Sequence, residues 1–405
     1  MNDQPSVTVD RVLAGQLCTG CGLCASVSAG AIRMETQSGY NRPHQMGGVS
    51  AMTERTIASA CPGAVVAEWD SSEARHPHWG PWRTVMSGYS TDPELRFRGS
   101  SGGAITALAI HALRTGQVDR VVHVLPDPSN PTGNRVVCSS DESEIAAGAG
   151  SRYAASSPLG DIDAILSDGG SIAFIGKPCD VSALKLLGLS DPRVGRHVTI
   201  MLSFFCAGVP NARAAANILA AMGLATEDVT KFRYRGEGWP GRAVAETRTG
   251  GIAHMSYARS WGEFLSPHVQ FRCKICPDAV GGSADIACAD AWYGNAQGYP
   301  DLEEHDGRSL ILTRSERGER FLEDAVGKGV LETAPLEIGE IDKMQPSQAM
   351  RKQLVRARSA ALALSGRPTP CAEGLMIDDA AGHAPFWLQL RNFLGTLRRV
   401  LWTRQ

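Results

Sequence analysis

Residues 100–125, SSGGAITALAIHALRTGQVDRVVHVL, predict a helix followed by a buried strand. A Ser/Gly turn opens the stretch, small apolar residues continue it as a helix to Arg114, and a β-branched run covers Val118 to Leu125. The same alternation recurs along the chain. Strands are predicted at 172–175, 198–205 and after Gly307, and helices at 180–187, 211–222 and 345–365. This order predicts a mixed α/β core of roughly 230 residues.

Composition and charge exclude two broad classes of protein. The 405 residues carry a formal net charge of −2, so there is no electrostatic excess for neutralising nucleic-acid phosphates. The first residues, MNDQPSVTVDRV, lack the basic and apolar regions of a signal peptide, and no stretch approaches the roughly 20 apolar residues of a spanning helix. We therefore expect a cytoplasmic protein without a nucleic-acid partner. In a reducing compartment its 11 cysteines point to metal binding rather than disulfides.

The first cysteine group lies near the start of the chain. Cys18, Cys21 and Cys24 form C-x2-C-x2-C in LCTGCGLCAS, a spacing that lets three thiolates reach corners of one cubane. Bacterial ferredoxins continue such a run with a fourth cysteine that serves another cluster, and here that place is Ser28. Cys61, followed by proline, is the expected remote fourth ligand. We predict a 4Fe–4S cluster on these four cysteines; the alternative is a structural zinc site.

A second group of cysteines follows predicted strands. Cys179 and Cys206 each come directly after a strand, and Cys273 and Cys276 form C-x2-C in FRCKICPD. Two thiolates at strand ends and one C-x2-C hairpin can meet at the carboxyl edge of a sheet, where α/β proteins usually place their sites.

Six stretches between Met86 and Gly318 resemble one known family, the beta subunit of coenzyme F420-reducing hydrogenase and its relatives. They are YSTDPELRFRGSSGGAITAL, GAGSRYAASSP, FIGKPCDVSALKLL, SFFCAGVPN, CKICPDAVGGSADIACADAW and GRSLILTRSERG. The relatives include plant 7-hydroxymethyl chlorophyll a reductase and the ferredoxin-dependent divinyl chlorophyllide vinyl reductase. Each stretch alone is weak evidence, whereas the combination is specific.

This resemblance implies an FAD beside a 4Fe–4S cluster whose ligands, by position, are Cys179, Cys206, Cys273 and Cys276. It also implies two flavin-binding segments, with the expected residues Arg98, Ser100, Ser101, Gly102, Gly103, Ser151, Arg152 and Tyr153. Glycines let backbone N–H groups approach a ligand, and the N-terminus of the following helix favours a phosphate or an anionic reduced flavin. A plain turn with a helix cap is the alternative explanation of SSGG.

Charged residues near these motifs are the remaining candidates for the chemistry. Lys177, just before Pro178-Cys179, is expected to bind and stabilise the reduced flavin, and we assign it a catalytic role as well. In ADIACADAW, Asp285 is expected to bind ribose hydroxyls and Asp290 to relay a proton, although either carboxylate could equally cap a turn. Arg233 and Arg235 would meet an acidic substrate or simply lie on a solvated face.

Four segments organise the chain: a ferredoxin-like iron–sulfur module at 1–70, a linker at 71–85, an FAD and 4Fe–4S catalytic domain at 86–340, and a helical C-terminal extension at 341–405. The histidines of the linker, His76 and His78, are predicted to be structural, as is His268. The tail 384–405 predicts a basic amphipathic helix. Such a helix packs on its own core or on a partner, and peripheral contact with a membrane is the alternative.

A chain with two clusters and a flavin can join one-electron transfer to two-electron chemistry. We therefore predict an FAD-dependent iron–sulfur oxidoreductase that passes electrons between a reduced carrier, either ferredoxin or coenzyme F420, and an unidentified small organic substrate. The alternative is a non-catalytic electron-transfer subunit that docks on a separate oxidoreductase. No nickel motif is present, so the chain alone is not predicted to be a hydrogenase. Self-association is left open.

Overall fold

The strands of the chain form one large sheet and three small ones. The computed structural model describes residues 4–294 and 300–402. Within these ranges the strands are β1 (Ile32–Gln37), β2 (Tyr40–Gln45), β3 (Ala74–His76), β4 (Gly80–Trp82), β5 (Thr84–Ser90), β6 (Arg120–Asp127), β7 (Asn130–Ser139), β8 (Ile172–Gly176), β9 (Val198–Phe204), β10 (Val229–Arg233), β11 (Arg242–Thr247), β12 (Ile252–Ser256), β13 (Ile286–Asp290), β14 (Ser309–Thr313) and β15 (Leu331–Pro335).

Helices separate most of these strands. They are α1 (Val7–Ala14), α2 (Leu23–Ser26), α3 (Ala51–Ala60), α4 (Pro93–Arg98), α5 (Ala104–Arg114), α6 (Glu142–Ala147), α7 (Ile162–Asp168), α8 (Pro178–Leu187), α9 (Pro192–His197), α10 (Ala212–Ala221), α11 (Tyr257–Arg259), α12 (Phe271–Lys274), α13 (Glu316–Gly327), α14 (Ile341–Met344), α15 (Pro346–Gln353), α16 (Val355–Leu364), α17 (Ile377–Gly382) and α18 (Phe386–Trp402). Short 3-10 turns cover Thr226–Asp228, Ser266–His268 and Ile338–Glu340, and a π-helical turn covers Ser260–Leu265.

The large sheet is mixed, with the strand order β15-β5-β14-β13-β9-β8-β6-β7. The strands β6, β8, β9 and β13 are mutually parallel, and the outer strands on both sides pair antiparallel. Because β8, β9 and β13 run in the same direction, their carboxyl ends share one edge of the sheet. This edge carries the second cysteine group.

Both faces of this sheet are buried, as the alternation of apolar side chains along its strands requires. Val121 packs with α5 and α13 on one face, and its neighbour Val122 packs with α7, α8 and α9 on the other. Ala173 and Phe174 of β8 divide between the same two faces. The arrangement is therefore a helix–sheet–helix sandwich, the mixed α/β architecture that the sequence predicts.

The segments outside the large sheet pack against it. The N-terminal segment holds the hairpin β1–β2 and the helix α3, which contacts α8. The linker forms the hairpin β3–β4, and its Trp79 joins Trp69 in the core shared by β5, β14 and α14. The hairpins β10–β11 and β11–β12 form a separate three-stranded sheet against α10.

The tail is helical, as predicted, and packs on its own chain. Helix α18 lies along α16, with Val400 only 1% exposed and Asn392 bound to Arg358. Its other side leaves apolar residues in solvent, at Phe386, Trp387, Leu390, Leu394 and Leu401. No helix in the described ranges has the length and apolar composition of a membrane span. Residues 403–405 of the predicted tail lie outside the described residues.

Candidate functional site

The first cysteine group sits on a tight loop followed by a short helix. Gly20 and Gly22 have φ of +81° and +90°, a left-handed conformation that glycine adopts without strain, and this conformation folds the C-x2-C-x2-C run back on itself. Cys61 ends α3 and faces the same core. Ser28, at the place of a fourth ferredoxin cysteine, accepts the Ile32 N–H at 3.0 Å and thereby fixes the turn into β1.

The four thiols of this group lie close enough to influence one another electrostatically. Burial raises the pKa of Cys18, Cys21 and Cys24, and it raises the pKa of Cys61 to about 11. Mutual repulsion between the thiolates adds to the rise at Cys21, Cys24 and Cys61. Arg42 lowers the pKa of Cys18 and Arg272 lowers that of Cys61, but burial outweighs both charges, so ligation of a metal would have to displace the protons of these thiols.

The second cysteine group lines one cavity, which we call the cysteine cavity. Its wall contains all four predicted ligands together with nine other residues, namely Thr19, Lys177, Pro178, Gly208, Val209, Gln270, Arg272, Asp278 and Arg351. Burial raises the pKa of Cys179 and Cys276 and raises that of Cys206 to about 12, and repulsion from neighbouring thiolates adds to each rise. The structure therefore brings together the four cysteines that the resemblance selects.

Local backbone features hold these four thiols in place. Pro178 begins α8 and puts Cys179 in its first turn. Cys206 follows β9, and its N–H donates to Ala279 O at 2.8 Å. Beyond Cys276, the Asp278 carboxylate accepts the N–H groups of Val280 and Gly282, which closes the loop after the C-x2-C hairpin.

The C-terminal extension supports the cysteine cavity from outside. Arg351 of α15 donates to Cys206 O at 2.8 Å and to Ala207 O at 2.6 Å. The buried ammonium of Lys352 donates to Pro277 O and to Leu375 O, both at 2.6 Å. The extension thus fixes the backbone on which two of the four cysteines sit.

Arg272 and Gln270 separate the two cysteine groups and contact both. Gln270 Nε2 lies 3.5 Å from Cys273 Sγ and 3.5 Å from Thr19 O, which belongs to the first cysteine loop. Arg272 is only 2% exposed and donates through Nη2 to Pro62 O, next to Cys61, at 2.9 Å. The two groups therefore share a wall one side chain thick.

The polar atoms left over in this wall fit an iron–sulfur cluster. Arg272 Nε and Nη1 and Thr19 Oγ1 are buried and have no hydrogen-bond partner in the described protein. Burying such donors without an acceptor is costly, and cluster sulfurs accept hydrogen bonds of this kind. Four convergent thiols with unsatisfied donors beside them suit a sulfur-rich anionic group better than a bare zinc ion.

Lys177 is buried and paired rather than solvated. Its Nζ lies 2.7 Å from Asp180 Oδ2 and 3.4 Å from Ser156 Oγ, and it lines the cysteine cavity. Burial alone would lower the pKa of Lys177, but the carboxylate of Asp180 and the adjacent thiols outweigh it and raise the pKa. Lys177 thus places a fixed positive charge at the cavity.

The two predicted flavin segments contact each other. The Ser151 N–H donates to Ser100 Oγ, and Ser101 Oγ lies 2.9 Å from Ser309 Oγ, which also accepts the Gly102 N–H. Gly103, with φ +74°, precedes α5, and no side chain caps this helix. The uncapped N-terminus of an 11-residue helix is a feature that fits a phosphate group.

Other residues of these segments have protein partners. The guanidinium of Arg152 donates to Asn134 Oδ1 at 2.6 Å and to the carbonyls of Pro131, Gly133 and Phe232. The ring of Tyr153 packs edge-on against Tyr234 and at a tilt against Trp261. The Arg98 side chain approaches Glu94 at 3.9 Å. Arg152 and Tyr153 therefore join β7 to the small sheet, and their polar groups are largely committed to that contact.

The two aspartates of ADIACADAW lie at opposite ends of β13. Asp285 accepts the Met201 N–H at 2.7 Å, Ser315 Oγ at 2.6 Å and the Arg317 guanidinium at 2.7 Å. Because β13 runs parallel to β9, this carboxylate lies level with the middle of β9, away from the carboxyl edge. These contacts show that Asp285 anchors the start of α13. Asp285 is therefore not part of the proposed site.

Asp290 lies past the end of β9 and forms a buried ion pair. Its two oxygens accept from Arg235 at 2.8 and 2.7 Å and from Trp239 Nε1 at 2.8 Å. The Arg235 guanidinium lies over the rings of Tyr257 and Trp292, at 4.4 and 4.8 Å from their centroids. Arg235 is thus a buried partner of Asp290, whereas Arg233 pairs with Glu237 nearer the surface.

Several residues of the site escaped the sequence analysis. Gln270 and Arg272 come just before the C-x2-C hairpin, and their proximity to the motif is a signal that the sequence does contain. The sequence gives no comparable signal for Arg351 and Lys352, because they lie many residues after the cysteine motifs. The remaining cysteines, Cys138, Cys288 and Cys371, do not line the cysteine cavity.

Comparison with known proteins gives consistent results. The family model for the N-terminal part of the coenzyme F420 hydrogenase/dehydrogenase beta chain matches residues 85–162, and the model for the C-terminal part of the same beta chain matches residues 169–338. The chain is 24% identical over 303 residues to coenzyme F420 hydrogenase subunit beta of Methanothermobacter thermautotrophicus, covering 72% of this chain and 99% of that protein. The corresponding protein of Methanococcus voltae is 24% identical over 299 residues, with 70% and 98% covered.

A solved structure shares the fold. A chain of the xenon-derivatised F420-reducing [NiFe] hydrogenase complex from Methanosarcina barkeri superposes with a TM-score of 0.57 at 20% identity. The match covers 74% of this chain and 99% of that chain.

Proposed function

The chain belongs to the coenzyme F420 hydrogenase/dehydrogenase beta subunit family, and from this premise we propose that it is the electron-transfer component of an oxidoreductase. The printed names of the relatives describe a subunit of a hydrogenase, which supports an electron-transfer role within a larger assembly over a free-standing reductase. Coenzyme F420 is the first electron carrier to test, and ferredoxin is the second.

The observation that carries the proposal is the shared wall between the two cysteine groups. Cys18, Cys21, Cys24 and Cys61 would hold one 4Fe–4S cluster and the four cysteines of the cysteine cavity the other, and such clusters supply one-electron transfer when bound. Arg272 and Gln270 contact both sites at once. Electrons would therefore cross a single layer of side chains between the sites.

The residues of the wall have definable tasks. The free donors of Arg272 and the hydroxyl of Thr19 would hydrogen-bond acceptors on a bound group. The positive charge of Arg272 lowers the cost of adding an electron nearby, because a reduced site carries more negative charge, whereas the charge of Lys177 is offset by the Asp180 carboxylate at 2.7 Å. All four thiols of the cysteine cavity are at least half-buried, which limits the access of water.

We further propose that FAD binds at the N-terminus of α5. The support is the uncapped helix end, the contact between Ser100 and Ser151, and the link from Lys177 to Ser156 in the second flavin segment. Ser100, Ser101, Gly102 and Gly103 would approach its phosphates or ring, and FAD supplies exchange between two-electron and one-electron carriers when bound. Arg98 and the segment 151–153 would line the approach.

A complete reductase with its own small-molecule substrate is the second candidate function. The observation favouring it is that the N-terminal segment packs directly on the cysteine cavity through Arg272 and Pro62, so both cluster sites and the flavin segments lie on one chain. On this alternative no separate catalytic subunit is needed.

Anaerobic purification with iron, acid-labile sulfide and flavin counted per chain tests the cofactors. We expect about eight iron, about eight sulfide and about one FAD. Cys18→Ser and Cys276→Ser should each lose about half of the iron, and Cys371→Ser, at an exposed cysteine outside both groups, is the matched control. Zinc in place of iron, without flavin, would contradict the proposal.

Reduction by carriers separates the two functions. The carrier that bleaches the visible absorption of the cofactor-loaded chain, either reduced F420 or reduced ferredoxin, is its electron donor. If the reduced chain turns over small acceptors only after a second protein is added, the electron-transfer role is supported. Turnover by the chain alone supports the reductase.

A further inference from the structure

A group of possible metal ligands lies on the side of the molecule formed by the linker and the C-terminal extension. A ring nitrogen of His76, a ring nitrogen of His78 and a carboxylate oxygen of Asp342 all lie within 4.8 Å of one another. The ring of His383 stands beside them, 4.9 Å from the His78 ring between centroids. We call these four residues the histidine cluster. None of them belongs to the cysteine cavity.

One pair of possible ligand atoms in the histidine cluster already has the spacing found around a tetrahedral ion, and the imidazole rings of the cluster are separated by similar distances to those on one ion. His78 Nδ1 lies 3.2 Å from Asp342 Oδ1. Two ligand atoms about 2.0 to 2.1 Å from a tetrahedral Zn²⁺ are separated by about 3.3 Å. Two imidazoles on one such ion have ring centroids about 5 Å apart by the same geometry. The observed centroid separations are 5.3 Å for His76 and His78 and 4.9 Å for His78 and His383.

A contact with Gln353 orients the His78 ring as a metal ligand would require. The amide nitrogen of Gln353 lies 3.1 Å from His78 Nε2. The oxygen and nitrogen of an amide exchange places by a simple flip, after which Gln353 Oε1 accepts a hydrogen bond from the His78 Nε2–H. That tautomer leaves the Nδ1 lone pair directed at Asp342. A carbonyl oxygen on the far nitrogen is the usual support of a metal-bound histidine.

We propose that the histidine cluster binds one Zn²⁺ and that this ion fastens the linker to the C-terminal extension. Two or three imidazoles with one carboxylate are a ligand set that suits zinc. The ligands come from the hairpin β3–β4, from α14 and from the end of α17, so one ion would join three separate segments. All of these lie outside residues 85–162 and 169–338, which the two family models match. The sequence predicts only a structural role for His76 and His78, and the structure brings Asp342 and His383 beside them.

Zinc binding to the full chain tests this proposal directly. Protein with its iron–sulfur clusters retained is treated with a chelator, titrated with Zn²⁺ alone, desalted and analysed for zinc and iron. We expect one zinc per chain, and at least tenfold weaker binding in Asp342→Asn and in His76→Asn. Both side chains are exposed or half-exposed, so these variants should keep their fold, and their iron content verifies that. His254→Asn, at an exposed histidine of β12, is the matched control.

X-ray absorption at the zinc edge separates this site from zinc bound by stray cysteines. The histidine cluster gives only nitrogen and oxygen neighbours at about 2.0 to 2.1 Å, whereas thiolates give sulfur at about 2.3 Å. Sulfur neighbours, equal zinc content in wild type and Asp342→Asn, or no zinc in the wild type would each overturn the proposal. The outcome does not depend on the electron-transfer function, because iron and zinc are counted separately.

Discussion

Replacing Asp290 distinguishes a catalytic carboxylate from a structural one. The side chain of Arg235 is 2% exposed and that of Asp290 is 19% exposed, and three hydrogen bonds of 2.7 to 2.8 Å converge on the carboxylate. Asp290→Asn keeps the shape and an acceptor for Trp239, but it leaves the guanidinium buried without a counter-charge. Breaking a buried pair in this way costs about 3 to 5 kcal/mol. We expect that loss in the free energy of unfolding.

The reverse substitution should cost less. Arg235→Met leaves behind a carboxylate that is partly in contact with water and still bonded to Trp239, so its residual penalty is smaller. The two single variants thus differ in their loss of unfolding free energy because the Asp290 side chain is more exposed than the Arg235 side chain. In the double variant Asp290→Leu/Arg235→Met no charge remains unpaired, and the cost should be well below the sum of the two single losses.

Urea unfolding of the loaded protein under anaerobic conditions, followed by tryptophan fluorescence, measures these differences. Trp239 and Trp292 stack at 4.8 Å beside the pair, so the signal reports on this region. If Asp290→Asn unfolds like the wild type but loses electron transfer to its acceptor, the structural argument is refuted and the predicted proton-relay role is supported.

Three further outcomes are expected. Arg272→Met should lower the reduction potential of a cluster in the adjoining site by on the order of 100 mV, because a unit charge at about 5 Å with an effective dielectric constant of about 20 contributes about 3 kcal/mol. Arg272→Lys keeps the charge and should therefore keep most of the wild-type potential. An anaerobic redox titration measures both variants. Burial lowers the pKa of His123 to about 4, so the fold requires its neutral form and the free energy of unfolding falls as the pH drops below about 6.5. We expect a loss of about 2 kcal/mol between pH 7.5 and pH 5. The loss should be absent in His123→Gln when urea unfolding is measured at both pH values. The exposed apolar side of α18 is flanked by arginines, and we propose that this side contacts anionic bilayers. The full chain should then sediment with phosphatidylserine vesicles but not with neutral ones. Equal sedimentation of a Phe386→Ser/Leu390→Ser variant would exclude the membrane contact.

The fold was largely predictable because its signals are local. Alternating apolar residues in β6, β8 and β9 reach both buried faces, and the turn-and-cap residues before α8 and α13 are visible in the sequence. The grouping of the second four cysteines was also within reach, because their positions follow from strands that share a carboxyl edge or from a C-x2-C hairpin.

The contacts that shape the site depend on long-range packing instead. Arg351 reaches the carbonyl of Cys206 across 145 residues of sequence, and His78 meets Asp342 across 264. No periodicity or motif encodes such pairs. The direction of β13 relative to β9 decided the outcome for the aspartates, since it puts Asp285 away from the carboxyl edge and Asp290 beyond it. That distinction required the sheet order, which the sequence alone did not provide.

The contacts between segments favour a relay over four independent modules. From the first cysteine group, Thr19 of the loop and Pro62 beside Cys61 lead through Gln270 and Arg272 to the cysteine cavity. Lys177 then links the cavity to Ser156 at the end of the second flavin segment, and that segment contacts the turn before α5. The C-terminal extension holds the backbone of Cys206, so it supports the path from outside. If electrons follow these contacts, a carrier exchanges two electrons near α5 and a one-electron partner docks near the first cysteine loop. The same layout serves a subunit or a complete reductase, because only the identity of the partner at each end differs.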